Sequence, residues 1–200
     1  MKASVLIIAC GALAKELIEI KKLNGWTHIK IQCLPAELHN RPAKIPGAVR
    51  SEIEKYRSEF DSIFVAYADC GTGGVLDKVL ADYDIERLPG AHCYEFFSGS
   101  KAFGELAEEE PGTFYLTDFL ARHFDRLIKK GLGLDRHPEL MSAYFGNYRR
   151  LVFLAQSESS KLEAMAKAHA EYLGLEYIQK HTGLGPVQAD LEEHVVQWRS

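Results

Sequence analysis

Three of the four cysteines close a strand-like apolar run at a glycine or polar turn. They are Cys10 after Val5-Leu6-Ile7-Ile8-Ala9, Cys70 after Ile63-Phe64-Val65-Ala66-Tyr67-Ala68-Asp69, and Cys93 after Ala91-His92. The carboxyl ends of the strands in an open parallel sheet share one edge, and ligands bind in the crevice there, so thiols remote in sequence converge if their runs share a sheet. Thiolate is a soft donor that suits zinc and iron–sulfur clusters alike, and the sequence does not choose between them. Cys10, Cys70 and Cys93 are therefore the expected metal ligands. The plainer reading is packing, since a free cysteine also behaves as a small buried hydrophobe. Cys33, inside Ile29-Lys30-Ile31-Gln32-Cys33-Leu34, reads as an ordinary strand residue.

Cys70 carries the most chemistry. The turn Asp69-Cys70-Gly71-Thr72-Gly73-Gly74 joins a strand to a helix, where backbone N–H groups favour anions and a cysteine shifts toward thiolate. Cys70 is thus the expected nucleophile as well as a ligand. Gly71, Thr72, Gly73 and Gly74 form an expected cofactor- or phosphate-binding turn, with Arg41 available for a bidentate grip on a carboxylate or phosphate. The turn lacks the Lys-Ser/Thr ending of a P-loop and the spacing of a dinucleotide fingerprint. His39, in Leu38-His39-Asn40-Arg41-Pro42, follows the second strand and is a candidate fourth ligand or catalytic base; the competing reading is a proline-fixed loop that satisfies its own backbone. Around Cys93, an extended backbone puts Cys93 and Glu95 on one face and His92 on the other, so His92 and Cys93 are not expected to serve one metal together; His92 also reads as a loop histidine orienting a ligand, and whether His39, His92 or Glu95 completes the site stays open.

The elements that must position these residues alternate. Residues 5–9 read as a buried strand and 12–23 as a helix, 29–34 as a second strand and 49–60 as a charged helix, 61–68 as a third strand and 75–83 as a helix. Residues 151–155 and 175–178 are strands flanking a helix over 159–173, capped by Ser157 or Ser159. This rhythm predicts an α/β fold: a Rossmann-like, mostly parallel sheet with helices on both faces, in one domain spanning residues 1–200. Residues 95–148 break the rhythm with many aromatics and charges, and read as a helical insertion or lid. Glu108-Glu109-Glu110 and Arg149-Arg150 read as solvated charges.

The chain's 200 residues and net charge of −4 supply no basic surplus for a phosphate backbone, which excludes nucleic acid as the expected partner. No run approaches a membrane span, and the short apolar N-terminal stretch reads as a strand rather than a signal peptide. Cytoplasmic residence is expected, where cysteines serve as ligands or catalysts more often than as disulfides.

The segments Ile8-Ala9-Cys10-Gly11-Ala12-Leu13, Leu38-His39-Asn40-Arg41-Pro42, Asp69-Cys70-Gly71-Thr72-Gly73-Gly74, Asp77, His92-Cys93-Tyr94-Glu95-Phe96-Phe97-Ser98-Gly99-Ser100 and Pro111-Gly112-Thr113-Phe114-Tyr115-Leu116-Thr117 together resemble the family called domain of unknown function 1638. The likeness runs from near residue 5 to near residue 155, with Cys10, His39, Cys70 and Cys93 on its motif positions. It implies a bacterial or archaeal protein whose relatives stand near corrinoid-dependent methyltransferases and methylamine metabolism. Three functions follow as expectations. The first is a three-cysteine zinc or iron–sulfur site acting on a small-molecule substrate. The second is a non-catalytic accessory that binds a corrinoid or a methyltransferase partner. The third is a metal-free cysteine enzyme, such as a racemase or thiol transferase.

Overall fold

The computed structural model describes residues 4–197. The fold is α/β and Rossmann-like, with two three-stranded parallel sheets. The chain divides into two compact units: the described residues up to Phe96, joined by those from Val187 onward, and Phe97–Pro186.

In the first unit, β1 (Val5–Cys10) leads through a 3-10 turn into α1 (Ala14–Leu23) and β2 (Ile29–Leu34). Two further 3-10 turns, Ala36–Asn40 and Pro42–Lys44, precede α2 (Ile45–Tyr56), β3 (Ser62–Ala66), α3 (Val75–Ala81) and α4 (Cys93–Ser98). The strand order is β2-β1-β3, and the run of apolar residues in β1 explains why it is central. Val5, Leu6, Ile7 and Ile8 are each no more than 2% exposed, and burying such a side chain is worth roughly 1.5–3 kcal/mol. Only a strand covered on both faces and paired on both edges satisfies such a run. In register, Val5 stands between Ile29 and Ser62. Because β2 and β3 flank β1, the chain reverses direction across the sheet at β1, and that reversal opens the ligand crevice of such folds at the strand carboxyl ends.

A segment outside the named strands extends this sheet edge. Val65 N–H donates to Glu86 O at 3.0 Å, and Leu88 N–H returns a bond to Val65 O at 3.1 Å. Further on, Asp69 N–H and Cys70 N–H donate to Gly90 O and Ala91 O at 3.2 and 2.8 Å. Residues 85–91 therefore run alongside β3 and its exit. Arg87 fixes them from the side with a bidentate pair to Asp77 at 2.6 and 3.0 Å and a bond to Leu88 O at 2.7 Å, the strong planar geometry of a guanidinium on a carboxylate.

In the second unit, α5 (Ser100–Glu109), β4 (Thr113–Thr117) and α6 (Asp118–Phe124) are followed by a π-helical stretch, Asp125–Lys130, and by α7 (Met141–Phe145). β5 (Arg150–Ala155), α8 (Ser160–Leu173), β6 (Glu176–His181) and the start of α9 (Gly185–Gln197) complete it, in strand order β4-β5-β6. Ser159 is the cap of α8, accepting from Leu162 N–H at 3.3 Å.

Three sequence expectations change here. Residues 5–9, 29–34, 61–68 and 151–155 do not share one sheet, because β5 pairs with β4 and β6 instead. Residues 95–148 are not wholly helical: Thr113–Thr117 is a strand in register with β5, its β-branched and aromatic residues fitting a pleated, buried surface. Nor is Arg150 solvated. It is 6% exposed and donates to Thr113 Oγ1, Glu109 Oε2 and Leu106 O at 2.8–2.9 Å, which offsets the cost of burying its charge.

Gly11 sits where β1 and the end of β2 approach most closely; a Cβ there would stand 2.8 Å from Leu34 O and 3.3 Å from Ala36 N. Overpacking against backbone costs about 1–3 kcal/mol. Gly11→Ala should therefore lower the urea unfolding midpoint by the equivalent amount, and an unchanged midpoint would show that the two strand ends are not in contact.

Candidate thiol site

Cys10 is the last residue of β1, and Cys70 follows the carboxyl end of β3. Cys93 starts α4, delivered to the same edge by the segment hydrogen-bonded to residues 69 and 70. The extended backbone expected around Cys93 is thus a helix start. The Sγ atoms of Cys70 and Cys93 are 3.0 Å apart, close enough for one thiol to donate to the other.

The turn that carries Cys70 is built by Asp69. Its carboxylate accepts from Thr72 Oγ1 at 2.7 Å, Gly74 N–H at 2.8 Å and Gly73 N–H at 3.1 Å, and these bonds hold its pKa down to about 2. Cys70 itself is left-handed, with φ 48. The expected phosphate cradle is consequently not available at Gly73 and Gly74, since Asp69 already occupies those donors. Thr72 is likewise committed, and Gly71 packs toward Pro42, the neighbour of Arg41. Arg41 is exposed on the adjoining turn.

The three thiols differ electrically. In the coupled pair, Cys70 is the acid: the hydrogen bond from the Cys93 thiol lowers its pKa, against the pull of burial, and the Cys93 backbone adds to the effect. Cys93 is raised well above an ordinary thiol, first by giving that bond to Cys70 and then by burial. Cys10 is pushed up to about 11 by burial, which outweighs the Ala12 amide and the Tyr67 hydroxyl favouring its thiolate. Charge on Cys70, and then on Cys33, also acts on Cys10, and charge on Cys10 acts on Cys93. Cys33 stands opposite Ala9, one residue out of step with Cys10, and strand alternation turns it to the other face.

A residue that the sequence reading passed over completes the group. Tyr67 is 1% exposed, and its phenol feels Cys10 most strongly, then Cys93 and Cys70; burial first, with those thiols, pushes its pKa far upward. Its hydroxyl makes no hydrogen bond of ordinary geometry among the described residues and stands nearest in interaction to the Cys10 thiol. The available signal was a lone hydroxyl in the otherwise apolar run Phe64-Val65-Ala66-Tyr67-Ala68.

The remaining candidates stand beside this group. His39 meets Tyr94, whose hydroxyl is 3.4 Å from Nε2; burial of the ring first, and then charge on His92, lowers the His39 pKa although the residue keeps solvent access. His92 is exposed, its ring centroid 6.4 Å from that of Tyr94. Glu95 turns back on its own loop, accepting from Ala91 N–H at 3.3 Å, so it braces the entry to α4 rather than joining Cys93. Gly90 must be glycine for the same reason: at φ +89, a Cβ would lie 2.0 Å from Glu95 Oε2. Among the described residues, no set of three or more histidine, cysteine, aspartate or glutamate side chains already stands at metal-holding spacing. No helix among them is long and apolar enough to cross a membrane.

Fold and site together define a Rossmann-like α/β protein in which Cys70 and Cys93 meet at the carboxyl edge of a parallel sheet whose central strand ends on Cys10. The family model described as "Protein of unknown function (DUF1638)" matches residues 33–190, and the chain belongs to that family. His39, Cys70 and Cys93 lie within the matched span, and Cys10 precedes it. No curated protein and no solved structure matches the chain.

Thiolate, not thiol, is alkylated, so labelling should follow the order of these pKa shifts. Near neutral pH iodoacetamide should modify Cys70 ahead of Cys10, Cys33 and Cys93. The Cys70 rate should fall only when pH drops through its depressed value, whereas Cys10 gains thiolate only toward about 11. Peptide mass spectrometry that finds Cys10 or Cys33 labelled ahead of Cys70 would contradict the assignment.

Proposed function

We propose that Cys10, Cys70 and Cys93 hold a soft metal, as zinc or an iron–sulfur cluster, and that the chain acts there on a small thiol or hydroxyl substrate. The observation that supports this reading is that Cys10 ends β1, Cys70 follows β3 and Cys93 starts α4 beside it, with the Sγ atoms of Cys70 and Cys93 3.0 Å apart. Sulfur donors select zinc and iron–sulfur clusters, and three protein ligands are the number used by catalytic rather than structural zinc. Such a metal would polarise a thiol or hydroxyl and lower its pKa, as activation for alkyl transfer requires.

The chain's own residues fit this role in distinct ways. Cys70 is already biased toward the ligating thiolate, while Cys93 and Cys10 must each release a proton, so metal uptake is favoured as pH rises. Two sulfurs bound to one tetrahedral zinc at about 2.3 Å are roughly 3.8 Å apart, against 3.0 Å between Cys70 and Cys93. Side-chain rotation supplies a difference of that size. Asp69 keeps the turn closed, and the buried strand ends limit water around the sulfurs.

The 3.0 Å contact also favours a second reading without metal. In it Cys70 is the nucleophile and Cys93 the proton donor beside it, the arrangement of an activated cysteine. Metal content separates the two. Protein purified anaerobically should carry stoichiometric zinc or a cluster by elemental analysis and absorption spectroscopy, and Cys70→Ser should lose it while keeping its far-UV circular dichroism. A Cys70→Ser protein with full metal content would remove the metal assignment. Metal-free wild type with a fast-alkylating Cys70 would establish the second reading instead.

A further inference from the structure

We propose that Cys70 and Cys93 are a redox-active dithiol that exchanges with low-molecular-weight disulfides, closing into one intramolecular disulfide and reopening under a small reducing dithiol. The geometry of this pair alone carries that activity. It goes beyond metal binding and beyond single-cysteine catalysis, neither of which joins the two sulfurs to each other.

The Sγ atoms stand 3.0 Å apart, about 1 Å from the length of a disulfide bond, roughly 2.05 Å. The backbones that hold them are already joined. Asp69 N–H donates to Gly90 O at 3.2 Å and Cys70 N–H to Ala91 O at 2.8 Å, while Arg87 ties the second segment to Asp77. Closing the pair therefore asks for side-chain rotation and leaves the sheet as it is. Both cysteines also keep partial exposure, whereas Cys10 is only 6% exposed. A small disulfide thus reaches the pair ahead of Cys10. Cys33, partly exposed but paired in register with Ala9 rather than with a thiol, is the internal comparison: it can take up a small thiol but has no sulfur opposite it to close against.

The exchange balances without metal. One thiolate of the pair attacks a sulfur of the small disulfide RSSR; a bond forms between protein sulfur and substrate sulfur, the S–S bond of RSSR breaks, and RS⁻ leaves. The second cysteine gives up its proton, attacks the protein sulfur of that mixed disulfide and expels the second RS⁻. The two thiolates that leave take up the two protons the pair released, so a dithiol is oxidised and one disulfide is reduced to two RSH. Contact between the sulfurs makes the second step intramolecular and fast. In the closed form neither sulfur is a thiolate, and thiolate is the form that binds metal or attacks an electrophile, so oxidation switches off both uses of the pair.

The test places the full-length reduced protein, its metal content measured by elemental analysis, in anaerobic buffers of stepped oxidised-to-reduced glutathione ratio. Samples are quenched with acid, alkylated with N-ethylmaleimide and mapped by peptide mass spectrometry. We expect a Cys70–Cys93 disulfide that rises with the ratio, seen as the loss of two hydrogens and of two alkylation sites, while Cys10 stays alkylated and dithiothreitol restores both sites. Glutathione on Cys70 or Cys93 should stay at roughly a tenth of the closed form or less in wild type. It should accumulate on the remaining partner in Cys70→Ser or in Cys93→Ser, where closure is removed. Glutathione persisting on Cys70 or Cys93 in wild type, a disulfide that uses Cys10 or joins two chains, or both thiols still free in oxidised glutathione overturns the inference. Metal content keeps the result separate from the metal reading. Protein that holds metal when reduced and loses it as the disulfide forms supports both, and metal-free protein that closes supports the redox pair alone. Metal retained with Cys70 and Cys93 unoxidised overturns the redox pair and leaves the metal centre standing.

Discussion

The left-handed backbone at Cys70, φ 48, is the constraint on which the thiol group depends. For an L-residue other than glycine or asparagine this conformation costs about 1–2 kcal/mol, and it persists only where the surroundings over-determine it. Here they do. Asp69 takes three donors from the next five residues, Cys70 N–H is fixed to Ala91 O, and Arg87 secures the segment that provides Ala91. The chain is thereby turned at the exit of β3 so that Cys70 meets Cys93, while pairing of β3 with β1 brings Cys10 to the same edge. A single strained residue thus joins sheet topology to sulfur chemistry.

The electrostatics follow from that packing. Burial disfavours every thiolate in the group, so three thiols of equal acidity would all remain protonated. The hydrogen bond between Cys70 and Cys93 breaks the equality by concentrating acidity on one sulfur at the other's expense. The result is a group in which Cys70 is the most acidic thiol while Cys93 and Cys10 hold their protons more tightly. Either a cation or an electrophile can exploit that asymmetry, which is why metal binding and nucleophilic chemistry are both compatible with one arrangement of atoms.

Much of this was legible in the residues. The apolar runs gave β1, β2, β3 and β5 because consecutive buried strands have no other periodicity, and the glycine turn singled out Cys70. The meeting of Cys70 and Cys93 beyond the strand ends was legible in the same way, although the three-strand boundary of the sheet was not. β4 was masked because five residues of Thr-Phe-Tyr-Leu-Thr lie between helices in an aromatic-rich stretch, where type alone does not separate strand from buried helix. Arg150 was read as solvated because its burial depends on partners at 106, 109 and 113, remote in sequence. The Asp69 carboxylate closes the glycine turn that otherwise reads as an anion site, and Tyr67 is marked only by its interaction with Cys10. These last features are set by three-dimensional satisfaction of polar groups, which no local pattern encodes.

X-ray absorption at the metal edge of anaerobically purified, metal-loaded protein tests the central claim most directly, because it counts the sulfurs around the metal. Three protein sulfurs on one zinc should appear as three scatterers at about 2.3 Å, falling to two when Cys10 is replaced by serine; for a cluster, an iron–iron distance should accompany them. A first shell of nitrogen and oxygen, or a sulfur count unaltered by loss of Cys10, would contradict a centre built by these three thiols.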